Sequence, residues 1–182
     1  MTWQIDASHS HVQFSVRHMM ISTVRGSFDK FNGTIEFDEN EPNKTLVSIE
    51  IDANSINTRD ERRDGHLKSP DFFDAATYPT LTFESTRVEK TGPRHGKLTG
   101  NMTIKGVTRE VILEVEYAGQ VKSPWGTISA GARATGKINR KDWGLNWNQA
   151  LEAGGVLVGD EVKIDIEIEL VKQAEPEAVA VA

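Results

Sequence analysis

The 182-residue chain contains no cysteine. That excludes disulfides, thiolate metal sites and a cysteine nucleophile. It has no excess of positive charge, with a net charge of -6 at pH 7. A nucleic-acid partner would call for a basic footprint, and an anionic membrane would repel this chain rather than hold it. No apolar run approaches a membrane span. The opening Met-Thr-Trp-Gln-Ile-Asp has neither a basic n-region nor an apolar h-region, so the sequence reads as cytoplasmic. There is no G-x-S-x-G elbow, no Walker loop and no dinucleotide fingerprint.

Helix is also scarce. One stretch, Thr58 to Pro79, carries helical signals. Thr58 with Glu61 reads as a capping box for a short charged helix from Arg59 to Lys68. Ser69-Pro70 reads as a second start, with Ser69 as N-cap and Pro70 at the first helical position. Phe72 and Phe73 follow and need an apolar surface to cover.

The remainder alternates with period two, apolar inward and polar outward. Val12, Phe14 and Val16 form one such run, and Val47, Ile49 and Ile51 another. Val24, Gly26 and Phe28 are out of phase with Phe31, Gly33, Ile35 and Phe37. A bulge near Lys30 in one long strand fits this best, with a hairpin at Asn32-Gly33 as the competitor. Leu81 and Phe83, then Leu98 to Ile104, Val111 to Tyr117, Ile128 to Ala134 and Val162 to Leu170 continue the pattern. It stops between Asn139 and Gly155, where Trp143 and Trp147 either line a pocket mouth or pack under a long loop. About eight long strands joined by short turns predict an all-β domain over residues 1–172, an extended antiparallel barrel with the helical segment across one end. A sandwich is the pattern's other solution. Residues 173–182 read as a disordered tail.

The inner phase carries almost no charge. It includes Ala130, Ala132, Ala134, Gly26, Gly33 and Gly100. Small inner residues either leave an apolar tunnel or accommodate bulky neighbours in an ordinary packed core. The wall candidates on the first strands are Phe14, Val16, Phe28, Phe37, Ile49 and Ile51. Those on the later strands are Phe83, Met102, Ile104, Leu113, Val115, Ile128 and Ala132. Phe72 and Phe73 are the end cover.

Three groups of polar residues carry candidate chemistry. His9 and His11, with Asp6 nearby, have the spacing of a metal site but no evident fourth ligand; solvent-facing histidines at a strand end are commoner, and no metal is expected. Arg59, Arg63 and His66 are candidate contacts for an anionic head group, against self-paired charges on a wet helix face. His66 or Asp71 could act as general acid or base on an apolar substrate, against simple turn capping.

R-D-G-H-L-K-S-P-D-F-F-D, ending in Y-P, resembles the signature of the YceI family, the lipocalin-like polyisoprenoid-binding proteins. S-H-S-H-V-Q-F-S-V-R-H, V-R-G-S-F-D-K-F-N-G-T-I-E-F-D, L-T-G-N-M-T-I-K-G-V-T-R-E-V and R-K-D-W-G-L resemble the family's other segments. The likeness spans Trp3 to Leu170. It implies a lipocalin-like barrel whose apolar tunnel holds an isoprenoid lipid, such as a polyprenyl phosphate or a quinone tail, for carriage or sequestration. It carries no catalytic residue across. No cofactor and no stable membrane insertion are expected, and a homodimer is left open. An enzyme acting on an apolar substrate and a filled barrel serving as a stress or interaction module are the alternatives.

Overall fold

In a computed structural model that describes residues 1–174, the chain forms eleven strands and, among those residues, one α-helix. In chain order these are β1 (Thr2–Ile5), β2 (His11–His18), β3 (Ser22–Phe28), β4 (Phe31–Glu36), β5 (Leu46–Asp52) and β6 (Ile56–Asn57). The helix α1 (Glu61–Lys68) comes next, then β7 (Thr80–Lys90), β8 (His95–Ile104), β9 (Val107–Lys122), β10 (Ile128–Asn139) and β11 (Val158–Lys172). All pairings are antiparallel. Eight strands close a ring in the order β1-β4-β5-β7-β8-β9-β10-β11, and β11 returns to β1. The expected antiparallel barrel is the observed one.

The three extra strands, β2, β3 and β6, are the lower halves of broken ones. Both β1 and β2 run along β11, with Ile5 opposite Leu170 and His11 opposite Glu167. Five residues on one side, 6–10, therefore face two on the other, 168–169. The excess is taken up by a single 3₁₀ turn at Ala7–His9. β3 and β4 are likewise one strand interrupted at Asp29-Lys30, where the alternation changes phase. Lys30 there accepts from the Asp52 amide at 2.9 Å, and the Asp29 amide donates to Ser55 at 3.1 Å. The hairpin alternative is excluded. Below these breaks, among the described residues, β6 pairs only with β3 and no strand joins it to β7. The segment from residue 58 to residue 79 fills that gap.

That segment is built differently from its sequence signals. Asp60, not Thr58, caps α1, its carboxylate accepting from the Arg63 amide at 3.1 Å. Thr58 donates instead to Asp64, through both its amide and its hydroxyl. No second helix starts at Ser69. Its hydroxyl closes α1 by donating to the His66 carbonyl at 2.6 Å, and Asp74 at φ +47 stops any regular continuation. The resulting turns send Phe72 into the core, where it is buried, and set Phe73 edge-on to Phe28 at 5.7 Å.

Two glycines expected to leave space are filled by rings. A Cβ on Gly26 would fall 2.5 Å from Phe14 Cζ, and one on Gly100 would fall 2.4 Å from Phe83 Cζ. Neither position tolerates a larger residue without displacing an aromatic side chain. The expected tail lies outside the described residues from 175 onward, and Gln173 itself still donates to the Thr2 carbonyl at 2.9 Å.

Two polar staples hold the breaks and loops. At the β1–β2 kink, Asp6 accepts from Ser8 and pairs with His9 Nδ1 at 2.8 Å. The Asp6 amide and the Ser10 hydroxyl meanwhile bind the backbone of Glu169. In the loop after β10, the buried Arg140 donates to the carbonyls of Gly159, Leu145, Trp147 and Val158, with Asp160 at 3.7 Å. Burial pulls the Arg140 pKa down and Asp160 pulls it up.

Replacing Arg140 by Met should destabilise the fold by about 3 kcal/mol, because four carbonyls and a carboxylate lose one fork of donors at once. Arg140→Lys should recover only a minor part, since an ammonium cannot span the same carbonyls; urea denaturation measures both. The kink is pH-dependent. Hydrogen bonds from Ser8, then His9, hold Asp6 down to about 2, and the Asp6 carboxylate raises His9. Asp6 thus contributes stability above the ordinary carboxyl range and loses it as pH falls toward its lowered pKa. His9 contributes below the ordinary imidazole range and loses it as pH rises through its raised pKa. The melting-temperature gap between wild type and Asp6→Asn should be widest near about pH 5 and narrow on the alkaline side.

Candidate functional site

The ring encloses a cavity of about 640 Å³, within the range of about 300–1,000 Å³ usual for pockets that hold small molecules. Its walls are aliphatic and aromatic. Ile5, Ile35, Val47, Ile49, Ile51 and Phe31 come from β1, β4 and β5, and Phe83, Val88, Leu98 and Met102 from β7 and β8. Leu113, Val115, Ala132, Ala134, Ile166 and Ile168 complete the circuit from β9, β10 and β11. These are inward positions of paired strands. Ala132 stands opposite Tyr117 on one side and Ile168 on the other. Ala134 stands opposite Val115 and Ile166. On β10 the small side chains do open space.

Polar lining residues gather at one end. They are Glu39 and Thr45 from the β4–β5 connection, Lys90, Arg94 and His95 from the β7–β8 turn, and Tyr117 and Gln120 from β9. This is the mouth. β4 and β9 lie on opposite sides of the eight-membered ring, yet their ends meet across it. The Tyr117 ring lies 5.2 Å from that of Phe37, and its hydroxyl donates to Glu39 Oε1 at 2.5 Å. Burial, and then the Glu39 carboxylate accepting its proton, push the Tyr117 pKa above the ordinary phenol value. The hydroxyl is therefore a donor throughout the physiological range. Arg94 braces the same place, donating to the Ala118 carbonyl at 3.2 Å while its own carbonyl accepts from the Tyr117 amide at 2.8 Å.

The other end is closed by rings. Phe14 meets Phe28 at a tilt, 5.6 Å between centroids, and Phe28 meets Phe73 edge-on. Trp147 meets both Phe72 and His66. Trp143 is buried, its indole donating to the Met102 carbonyl at 3.0 Å. Lys105, on the β8–β9 turn, reaches the Pro70 carbonyl at 2.7 Å, fastening the cover to the barrel.

The candidates named from sequence fall into three places. Phe37, Ile49, Ile51, Phe83, Met102, Leu113, Val115 and Ala132 line the cavity. Phe14, Val16, Phe28, Ile104, Phe72 and Phe73 do not; all but Val16 belong to the packed core of the half below the strand breaks, and Val16 is half-buried on β2 between Val24 and Val162. Ile128 opens β10 at the mouth end, opposite Lys122, and is half-buried without reaching the cavity. Arg59, Arg63 and His66 are also away from it. Arg63 is spent on Thr58, donating to its hydroxyl at 2.8 Å and its carbonyl at 2.7 Å. His66 is held between Phe72 and Trp147 with Nε2 at 2.8 Å from Asp71. That pair is therefore remote from the apolar space where a substrate would lie. Asp6, His9 and Glu169 bring one ligand atom each within 4.8 Å, and His11 is not in the group. The Asp6–His9 hydrogen bond already serves the kink.

Sequence reasoning missed the strap formed by Phe37, Glu39 and Tyr117, and the basic residues Lys90, Arg94 and His95. A strand residue that alternates inward gives no sign of what it meets across a barrel.

This is an eight-stranded lipocalin-like barrel, covered at one end and holding an apolar cavity that opens among polar groups at the other. The YceI-like domain profile matches residues 3–170. A UPF0312 protein of Staphylococcus aureus is 42% identical over 165 residues, covering 90% of this chain and 94% of that one. The chain belongs to the YceI-like family. Burkholderia cenocepacia BcnA superposes with a TM-score of 0.80 at 25% identity, covering 93% of this chain and 99% of its own. A polyisoprenoid binding domain from Saccharophagus degradans shares the fold with a TM-score of 0.68 at 18% identity, covering 94% and 98%. No helix among the described residues is long and apolar enough to cross a membrane.

The strap across the mouth predicts a separable effect. Tyr117→Phe should cost about 1 kcal/mol of stability, the ordinary worth of one hydrogen bond. It should also speed uptake of an apolar fluorescent probe by about twofold or more, because Glu39 is released from the mouth. Urea denaturation and stopped-flow fluorescence read the two effects.

Proposed function

We propose that the protein binds an isoprenoid lipid, its chain in the cavity and its polar head among the groups at the mouth. The observation that carries this reading is the cavity itself: about 640 Å³ of space walled by apolar side chains, with its polar residues confined to one end. Burial is the driving force. Each square ångström of hydrocarbon removed from water contributes about 25 cal/mol, against the ordering of the chain. A methyl-branched, unsaturated chain suits a pocket whose walls mix flat rings (Phe31, Phe37, Phe83) with branched aliphatics. The head group belongs near Lys90, Arg94 and His95, rather than on α1. The Lys90 and Arg94 cations favour a phosphate, whereas Tyr117 and Gln120 also suit the carbonyls of a quinone.

The role is binding rather than catalysis. The titratable residues that line the cavity, Glu39, Lys90, Arg94, His95 and Tyr117, all stand at its mouth. Among the described residues, the one of these that adjoins the apolar wall is Tyr117, opposite Ala132, and its hydroxyl is engaged by Glu39. A filled barrel is disfavoured by the same cavity.

Organic extraction of the purified protein followed by mass spectrometry should recover a prenyl lipid. Recovery of none, together with failure of added farnesol to bind, would overturn the reading. Ala132→Trp should lower farnesol affinity by about tenfold or more, because the indole replaces hydrocarbon-accessible space. Its circular dichroism should match that of wild type. Unchanged affinity would place the ligand elsewhere.

A further inference from the structure

The β9–β10 hairpin outruns its neighbour at the mouth. β8 pairs with β9 as far as His95 opposite Glu116, whereas β9 and β10 stay paired to Lys122 opposite Ile128. On the β8 side β9 thus runs six residues, about 20 Å at about 3.3 Å each, past its last pair, while β10 stays paired with β11 to Ser129 opposite Val171. The hairpin is a prong at the rim of the opening, bare on its β8 edge and backed by β11.

Its tip is tightly made. The Ser123 amide donates to the Thr127 carbonyl at 2.7 Å, and the Gly126 amide to the Ser123 carbonyl at 3.0 Å. The Thr127 amide donates to the Ser123 hydroxyl at 3.1 Å, and Gly126 adopts φ +87. This turn leaves Trp125 88% exposed, and Val121 on the same prong is 71% exposed. Two more exposed apolar residues share that end. Leu46 opens β5 opposite Glu36, and Met1 precedes Thr2, which is also opposite Glu36. Folding gains nothing from holding an indole in water, and isolated tryptophans are favoured where an apolar ring meets a wet interface.

We propose that the mouth end docks reversibly on a phospholipid bilayer, with Trp125 and Val121 inserted at the interface. The cavity would then open toward the hydrocarbon from which its ligand comes. This rests on the isoprenoid-binding reading for its purpose, though not for its test. The net charge of -6 selects a zwitterionic surface over an anionic one. The β2–β3 hairpin also shows apolar residues at its tip, Met19, Met20 and Ile21. It lies at the covered end, where a lipid would meet the Phe28–Phe73 stack rather than an opening. Met20 is moreover folded over Gly155.

Intrinsic fluorescence tests the proposal directly. Trp3 and Trp143 are buried and Trp147 is half-buried, which makes Trp125 the solvent-exposed emitter. Phosphatidylcholine vesicles should shift the wild-type emission to shorter wavelength, and lipids brominated near the head group should quench it. Trp125→Ala should remove that response and lower co-sedimentation with the vesicles by about fivefold or more, while farnesol affinity in vesicle-free buffer stays within about twofold. Equal sedimentation of wild type and Trp125→Ala would overturn the proposal. So would vesicle-dependent protection from hydrogen exchange at Met19–Ile21 instead of Val121–Gly126. If the isoprenoid reading alone is wrong, the wild type will dock through Trp125 and yet take up no farnesol.

Discussion

A strand of four residues closes this barrel. β1 lies between β4 and β11, pairing Trp3 with Ile35 on one side and with Lys172 on the other. Without it two long strands would present bare edges, and the cavity would lose a wall at Ile5. So short a strand cannot hold two neighbours by backbone bonds alone. Trp3 supplies the remainder. Its side chain is fully buried, and its indole donates to the Phe37 carbonyl at 3.2 Å, just where the chain leaves β4 for the mouth. The staple from Asp6 to Ser10 then fastens the other end of β1 to Glu169. Closure, cavity and mouth therefore depend on one short segment pinned at both ends.

The breaks that make β1 short also divide the interior. Above them eight strands form a complete ring; below them the sheet is open between β6 and β7. An open sheet cannot enclose an empty space, because its gap would admit water to apolar walls. The lower half is accordingly filled, with Phe14 over Gly26, Phe28 against Phe73, and the turns after α1 laid across the gap. The upper half has no gap and can remain hollow. Small residues act oppositely in the two settings. Gly26 admits a neighbouring ring, whereas Ala132 and Ala134, flanked by cavity-lining residues of β9 and β11, leave space.

Much of the fold was legible because period-two alternation reports directly which side chains point inward. The phase change at Lys30 even marked a break that pairing confirms. Height along the barrel axis was not legible. Val12 and Phe14 share one inward phase on β2, but Val12 lines the cavity and Phe14 does not line it. No local pattern separates them, since what differs is the register with β11. The charges were misleading for a related reason. Arg59, Arg63 and His66 cluster in sequence, while the basic residues that do meet the cavity sit around an ordinary-looking turn at Lys90 to His95. Arg140, in R-K-D-W-G-L, has the residue type of a surface group. It is buried only because four carbonyls converge on it from Leu145, Trp147, Val158 and Gly159.

The two ends of the barrel have opposite mechanical characters, and that asymmetry decides where the cavity can open. The covered end is tied by interlocking rings, by Trp143 on the Met102 carbonyl and by Lys105 on the Pro70 carbonyl. Opening it would expose several aromatic faces to water at once. The mouth is crossed by one tyrosine, held by one carboxylate on a loop and by ring contact with Phe37. Parting that strap exchanges a single protein hydrogen bond for hydrogen bonds to water and gives up one ring contact, each a change of about 1 kcal/mol. It leaves the ring of backbone bonds intact. Opening at the mouth therefore needs no unfolding, whereas opening at the floor would dismantle the packing that replaces the missing strand pairing between β6 and β7.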